Sequence, residues 1–190
     1  MNIYAISGLG ADQRVFDYLK IDFPLTPLTW IPQNKNETIE KYSLRLAKKI
    51  DILNPFVLIA VSFGGLVAIE ISKVFKPELT ILVSSVETKN EIPKLYRLAA
   101  KTKMLNLIPR FILKTSNIGL TYLFGTKKKK LLKDIITDSD VSFSKWAVLE
   151  LINWKNTTKI KNCLKISGTN DKLLPASVDA VLIEDGEHFM

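Results

Sequence analysis

The run Phe56-Val57-Leu58-Ile59-Ala60-Val61 is wholly apolar and reads as a buried strand, and it stops at Ser62. The segment that follows, Leu66-Val67-Ala68-Ile69-Glu70-Ile71-Ser72, lacks strand alternation and carries good helix formers. Strand and helix are therefore separated by only Ser62-Phe63-Gly64-Gly65, a connection so sharp that the two backbones come close together. The small residues two before and two after the serine, Ala60 and Gly64, fit that crowding. The pattern is A-x-S-x-G, one methyl group from the G-x-S-x-G turn that exposes a serine hydroxyl at the end of a strand. A membrane span over residues 56–72 does not fit, because the stretch is short and holds Ser62, Gly64, Gly65, Glu70 and Ser72.

A serine hydroxyl is a weak nucleophile and needs a base whose pKa lies near the working pH. The chain has a single histidine, His188, in Asp185-Gly186-Glu187-His188-Phe189 just after the apolar run Ala180-Val181-Leu182-Ile183. A carboxylate is then needed to hold the imidazole tautomer. Asp171 ends the turn Ser167-Gly168-Thr169-Asn170 after a likely strand, with Asp179 and Asp185 as rivals on sequence grounds. Two backbone amides should receive the oxyanion. Phe63 supplies one by position, and Leu9 is the candidate for the other, in the glycine turn Ser7-Gly8-Leu9-Gly10 that follows the short apolar strand Asn2–Ile6. An ordinary tight strand-to-helix turn would also explain those glycines.

Taken in order along the chain, these segments resemble the α/β-hydrolase superfamily. Ser7-Gly8-Leu9-Gly10 is similar to its His-Gly oxyanion loop with serine for histidine, and Ser167-Gly168-Thr169-Asn170-Asp171 is similar to its His-Gly-x-x-Asp acid loop with the same replacement. Asp185-Gly186-Glu187-His188-Phe189 is similar to its glycine-rich histidine loop, and Ala60 stands where the first elbow glycine would be. The order Ser, Asp, His is the order of that superfamily. The resemblance implies a catalytic triad of Ser62, Asp171 and His188. Members usually begin with an antiparallel hairpin and follow the histidine loop with a helix, whereas this sequence starts at the strand leading to the oxyanion loop and has two residues after His188. A minimal core and a poorly held histidine, with activity reduced or lost, are therefore the expectation.

The expected fold is α/β: a three-layer sandwich like that of the α/β-hydrolases, with a mainly parallel sheet of about six strands near residues 2–6, 25–30, 56–61, 79–84, 163–167 and 180–184. Helices alternate with the strands, one over Glu37 to Ile52 and one from the elbow to about Phe75, before Pro77. About 78 residues separate the strand ending near Ser84 from the one starting at Cys163, far more than a crossover helix needs. Apolar residues recur at helical spacing in Ile92–Leu105, Leu107–Leu113, Ile118–Phe124, Leu131–Ile136 and Phe143–Trp154. The expected organisation is a hydrolase core of residues 1–88 and 162–190 with an all-helical cap, 89–161, inserted before the acid-bearing strand. Tyr96, Phe111, Tyr122, Phe124 and Trp146 are read as cap core rather than substrate contacts.

The 190 residues carry a net charge of +8, and its distribution is uneven: residues 89–161 sum to +11 and the remainder to −3. Lys127-Lys128-Lys129-Lys130 reads first as a solvated helix start; attraction of an anionic substrate or of an anionic membrane surface are the sharper alternatives. Nucleic acid is not expected, since no stacking motif or recognition helix accompanies the lysines. The lone Cys163 and the absence of a leader-like N-terminus give the expectation of a cytoplasmic protein. No metal or organic cofactor is implied, one cysteine and one histidine being a poor basis for a zinc site. The sequence reading is a hydrolase of a small-molecule acyl ester or thioester. An acyltransferase or carbon-carbon bond hydrolase on the same triad and a non-catalytic binding protein on the same fold are the alternatives.

Overall fold

The computed structural model describes residues 1–17, 19–101, 129–138 and 140–189. Its six strands are β1 (Asn2–Ile6), β2 (Leu25–Pro27), β3 (Phe56–Val61), β4 (Leu79–Val83), β5 (Cys163–Gly168) and β6 (Val181–Ile183). They form one sheet in the order β2-β1-β3-β4-β5-β6, and every neighbouring pair is parallel. Parallel neighbours require crossovers, so all the connections that leave the carboxyl ends of the strands emerge at one edge of the sheet. The strand expected over 25–30 is shorter. Beyond Leu28, whose N–H reaches Ala5 O at 2.7 Å, the carbonyls of Thr29 and Pro32 accept from Lys49 and Arg45 side chains rather than from a strand.

Helix α1 (Ile39–Leu46) buries Ile39, Tyr42 and Leu46 and tightens into a 3-10 turn over Ala47–Lys49. It starts later than expected because the Glu37 side chain is taken up by the Asn34 amide at 2.7 Å and by Arg45 at 2.8 Å. Helix α2 (Phe63–Phe75) is buried on every side from Phe63 to Ser72, and it stops at Lys76, which adopts φ 48° immediately before Pro77. Tyr4, Ile6, Leu58, Ala60 and Leu82 on one face of the sheet make a single core with α1, α2 and α5 (Val141–Asn153). An aromatic cluster fills the middle: Tyr42 and Trp146 ring centres are 4.6 Å apart, and Trp30 and Phe143 are 5.1 Å apart. On the opposite face Ile3, Val57 and Ile59 pack with the half-buried Leu25, Leu79 and Ile81.

Of residues 89–161, the structure describes α3 (Lys94–Lys101), α4 (Lys129–Asp138) and α5. The stretches expected to be helical over 107–113 and 118–124, with Phe111, Tyr122 and Phe124, lie outside the described residues, as do Lys127 and Lys128. Helix α3 packs on α5, and Asp138 at the end of α4 holds Arg14 at 2.8 Å. Trp146 joins the main core, its Nε1 donating to Glu37 O at 2.8 Å. No described helix is long and apolar enough to cross a membrane.

Candidate active site

Ser62 sits in the turn between β3 and α2 with φ 52° and ψ −124°, a conformation that L-residues rarely adopt. Close packing imposes it. A side chain at Gly64 would collide with the carbonyl oxygens of Ser7 and Ile6, so helix and strand can approach only because Gly64 has none. Ser62 N–H donates to Val83 O at 2.9 Å, which ties the elbow to the neighbouring strand end. Holding a residue in such a region costs of order 1–3 kcal/mol, supplied by the surrounding core.

His188 comes to Ser62 from 126 residues away, its Nε2 lying 2.8 Å from Ser62 Oγ. Its Nδ1 lies 2.9 Å from Asp171 Oδ2 and 3.0 Å from Oδ1. An ionised carboxylate can only accept, so Nδ1 carries the hydrogen and Nε2 is left to accept from the serine hydroxyl. Both partners are buried, His188 at 4% and Asp171 at 6% exposure. Asp171 Oδ1 also accepts from the amides of Leu173 and Leu174, each at 2.9 Å, which fixes the carboxylate in place.

The acid and histidine loops are stitched together. Thr169 N–H donates to Ile183 O at 3.0 Å, Asn170 N–H to Gly186 O at 2.8 Å, and Asp185 N–H to Thr169 Oγ1 at 2.9 Å. A side chain at Gly168 would strike the Gly186 backbone. The two rival aspartates lie elsewhere. Asp185 is on the exposed side of this contact, 3.4 Å from Asn170 Nδ2. Asp179 is paired with Lys165 and Lys159, and the Lys165 hydrogen bond, then Ser177 and Lys159, holds its carboxyl far below the usual carboxylate range.

The glycine turn after β1 lies over the serine. A carbon added at Gly8 would be 3.3 Å from Ser62 Cβ and 3.9 Å from Ser62 Oγ. Phe63 N–H belongs to the first residue of α2 and has no intrahelical acceptor. Among the described residues neither the Leu9 nor the Phe63 amide meets a protein acceptor. Tyr96 of α3 stands close enough for the Asp171 charge to act on it; burial first, and that charge second, raise its phenol above the ordinary value. Burial pushes the Cys163 thiol up to about 12, which leaves it protonated at neutral pH. Among the described residues no three His, Cys, Asp or Glu side chains are grouped to hold a metal ion.

A cavity of about 670 Å³ lies on the far side of the glycine turn, between that turn, Leu28, Trp30, Ile135 of α4 and Phe143 of α5. It touches Ser7 but not Ser62, Asp171 or His188.

No family model and no curated protein sequence matches the chain. Solved structures do. A thermophilic esterase from Thermogutta terrifontis superposes with a TM-score of 0.67 at 16% identity, over 100% of this chain and 83% of that one. The RedJ thioesterase of prodiginine biosynthesis in Streptomyces coelicolor gives 0.70 at 11% identity, over 100% and 83%. BioG from Haemophilus influenzae gives 0.61 at 15% identity, over 99% and 88%. The chain has the α/β-hydrolase fold. Within this α/β-hydrolase fold Ser62, Asp171 and His188 lie beyond the carboxyl ends of β3, β5 and β6, and the glycine turn lies beyond β1. Sequence reasoning did not single out Ser85, Trp30 or Glu87 near these strand ends. Single residues in loops carry no periodic signal, and each of the three has a partner distant in the chain: Ser62 for Ser85, Ala11 for Trp30 and Ile160 for Glu87.

Proposed function

We propose that the chain is a serine hydrolase of small-molecule acyl esters or thioesters, with Ser62 as nucleophile, His188 as base and Asp171 as the residue that orients and charge-stabilises His188. The observation that carries this reading is the continuous hydrogen-bonded chain from Asp171 through both ring nitrogens of His188 to Ser62 Oγ. Ser62 Oγ attacks the carbonyl carbon as His188 Nε2 takes the hydroxyl proton. The oxygen that becomes negative is received by the Phe63 and Leu9 amides. When the tetrahedral intermediate collapses, His188 returns the proton to the departing alcohol or thiol and an acyl-Ser62 ester remains. Water, deprotonated by His188, then releases the acid and restores the serine. Each oxyanion donor is worth roughly 3 kcal/mol of barrier.

The esterase and thioesterase activities named for two of the superposed structures agree with this reaction class. The division into a core of residues 1–88 and 162–190 and a cap of 89–161 goes with the same reading, and the +11 charge of the cap segment favours an anionic acyl substrate. A cytoplasmic setting is the companion proposal, resting on the single cysteine. The test is labelling with a fluorophosphonate probe, whose phosphorus is attacked by an activated serine oxygen, forming the O–P bond as the P–F bond breaks and fluoride leaves. Wild type should be labelled and Ser62→Ala should not. His188→Ala should slow labelling by about 10⁴-fold or more. A folded wild type that resists the probe would overturn the reading.

A further inference from the structure

Two serines follow β4, and they are used differently. Ser84 is fully buried with φ 47°, and among the described residues its hydroxyl has no hydrogen-bond partner. Ser85, also buried, donates its hydroxyl to the carbonyl oxygen of Ser62 at 2.7 Å. The same oxygen accepts Gly65 N–H at 2.9 Å. The niche is built around that hydroxyl, since a side chain at Gly65 would collide with Ser85 Oγ.

The carbonyl of Ser62 and the N–H of Phe63 are two ends of one peptide unit. That unit is planar and trans, so fixing where C=O points fixes the opposite direction for N–H. A donor on the carbonyl also polarises the unit and strengthens its N–H as a donor in turn. The geometry points to Ser85 as a positioning residue. Its hydroxyl clamps the Ser62–Phe63 peptide and thereby aims and strengthens the Phe63 amide that receives the oxyanion. Among the described residues the other donor to this carbonyl is Gly65 N–H, which belongs to the helix that the elbow begins, whereas Ser85 comes from the loop after the neighbouring strand β4. This assignment rests on the serine-hydrolase reading for its catalytic consequence, but the clamp itself can be observed without turnover.

The experiment compares Ser85→Ala, Ser85→Thr and Ser84→Ala with wild type in p-nitrophenyl acetate hydrolysis, alongside amide NMR. Ser85→Ala should lower kcat about tenfold with KM within about twofold, less than the loss of an oxyanion donor itself. The pH midpoint of kcat/KM should stay where it is, because His188 keeps both its partners. Ser85→Thr, which keeps the hydroxyl, should recover most of the rate, and Ser84→Ala should match wild type. In the NMR arm, Ser85→Ala should shift the Phe63 amide proton upfield and speed hydrogen exchange at Gly65 beyond any change at Tyr42, whose amide lies in α1. Equal rates in Ser85→Ala and wild type, an equal loss in Ser84→Ala, or unmoved Phe63 and Gly65 amides would each overturn the assignment. If the wild type has no esterase activity, the hydrolase reading fails by itself, and the amide shifts still decide whether Ser85 clamps the peptide.

Discussion

At the scale of single residues the elbow sets stability against reactivity. Ser62 needs a positive φ that a side chain resists, so replacing it tests the strain directly. Ser62→Gly and Ser62→Ala both lose the hydroxyl, yet glycine also loses the steric conflict. The glycine variant should melt higher, by a difference equivalent to about 1 kcal/mol, measured by thermal unfolding of the two side by side. Gly64→Ala should do the reverse. Its new methyl meets two backbone carbonyls that cannot rotate away, and a loss of about 3 kcal/mol or outright failure to fold is expected in denaturant titration. Gly168→Ala should be milder for the fold and harsher for the site. Pushing Gly186 aside displaces the histidine loop from the acid loop, so probe labelling at Ser62 should fall by more than the stability change explains.

At the scale of elements, what could be read from sequence follows from how each element is stabilised. β3 is legible to the residue because it is buried along its length and so wholly apolar. α2 is legible because its glycines and Pro77 mark both ends. β2 is shorter than the expected 25–30 because Leu28 and Trp30 serve core packing and the aromatic cluster rather than strand pairing. For the site, the serine, histidine and glycine turns were legible as local patterns. Asp171 is preferred over Asp179 and Asp185 only through the family resemblance, since local letters do not reveal what each carboxylate meets in space: His188 for Asp171, Lys165 for Asp179. The buried ion cluster of Lys165 with Glu87 at 3.6 Å and Glu91 at 3.4 Å was likewise invisible, its members lying on separate elements. Lys165→Met would remove the cation that faces both of those carboxylates and leave Asp179 with Lys159 at 3.2 Å. A loss of about 3 kcal/mol or more in urea unfolding is expected, because breaking a buried pair leaves uncompensated charge.

At the scale of the whole molecule the depressed carboxyls shape the response to acid. Arg45, before its other partners, lowers the Glu37 pKa, and Lys165 lowers that of Asp179. Both groups contribute stability that is present above the ordinary carboxylate range and is lost as pH falls through their lower folded values. Glu150 has the opposite sign. Burial raises its pKa, so its cost is present near neutrality and relieved on acidification. Stability should therefore decline below about pH 4, with Glu37→Gln flattening that decline and Glu150→Gln steepening it, as followed by chemical denaturation from pH 7 to pH 3.

The strand order also sets a sequence in time. Ser62 belongs to the middle of the sheet, whereas His188 hangs from β6, which among the described strands pairs with β5 at the rim. A refolding chain can thus assemble its centre, with the serine already in its strained turn, while the imidazole is still far away. Closing a 126-residue separation is among the slowest contacts such a chain can make. On the proposed triad, probe labelling at Ser62 should emerge in the last refolding phase, after most helical signal has returned, because His188 reaches Ser62 only once β6 has docked.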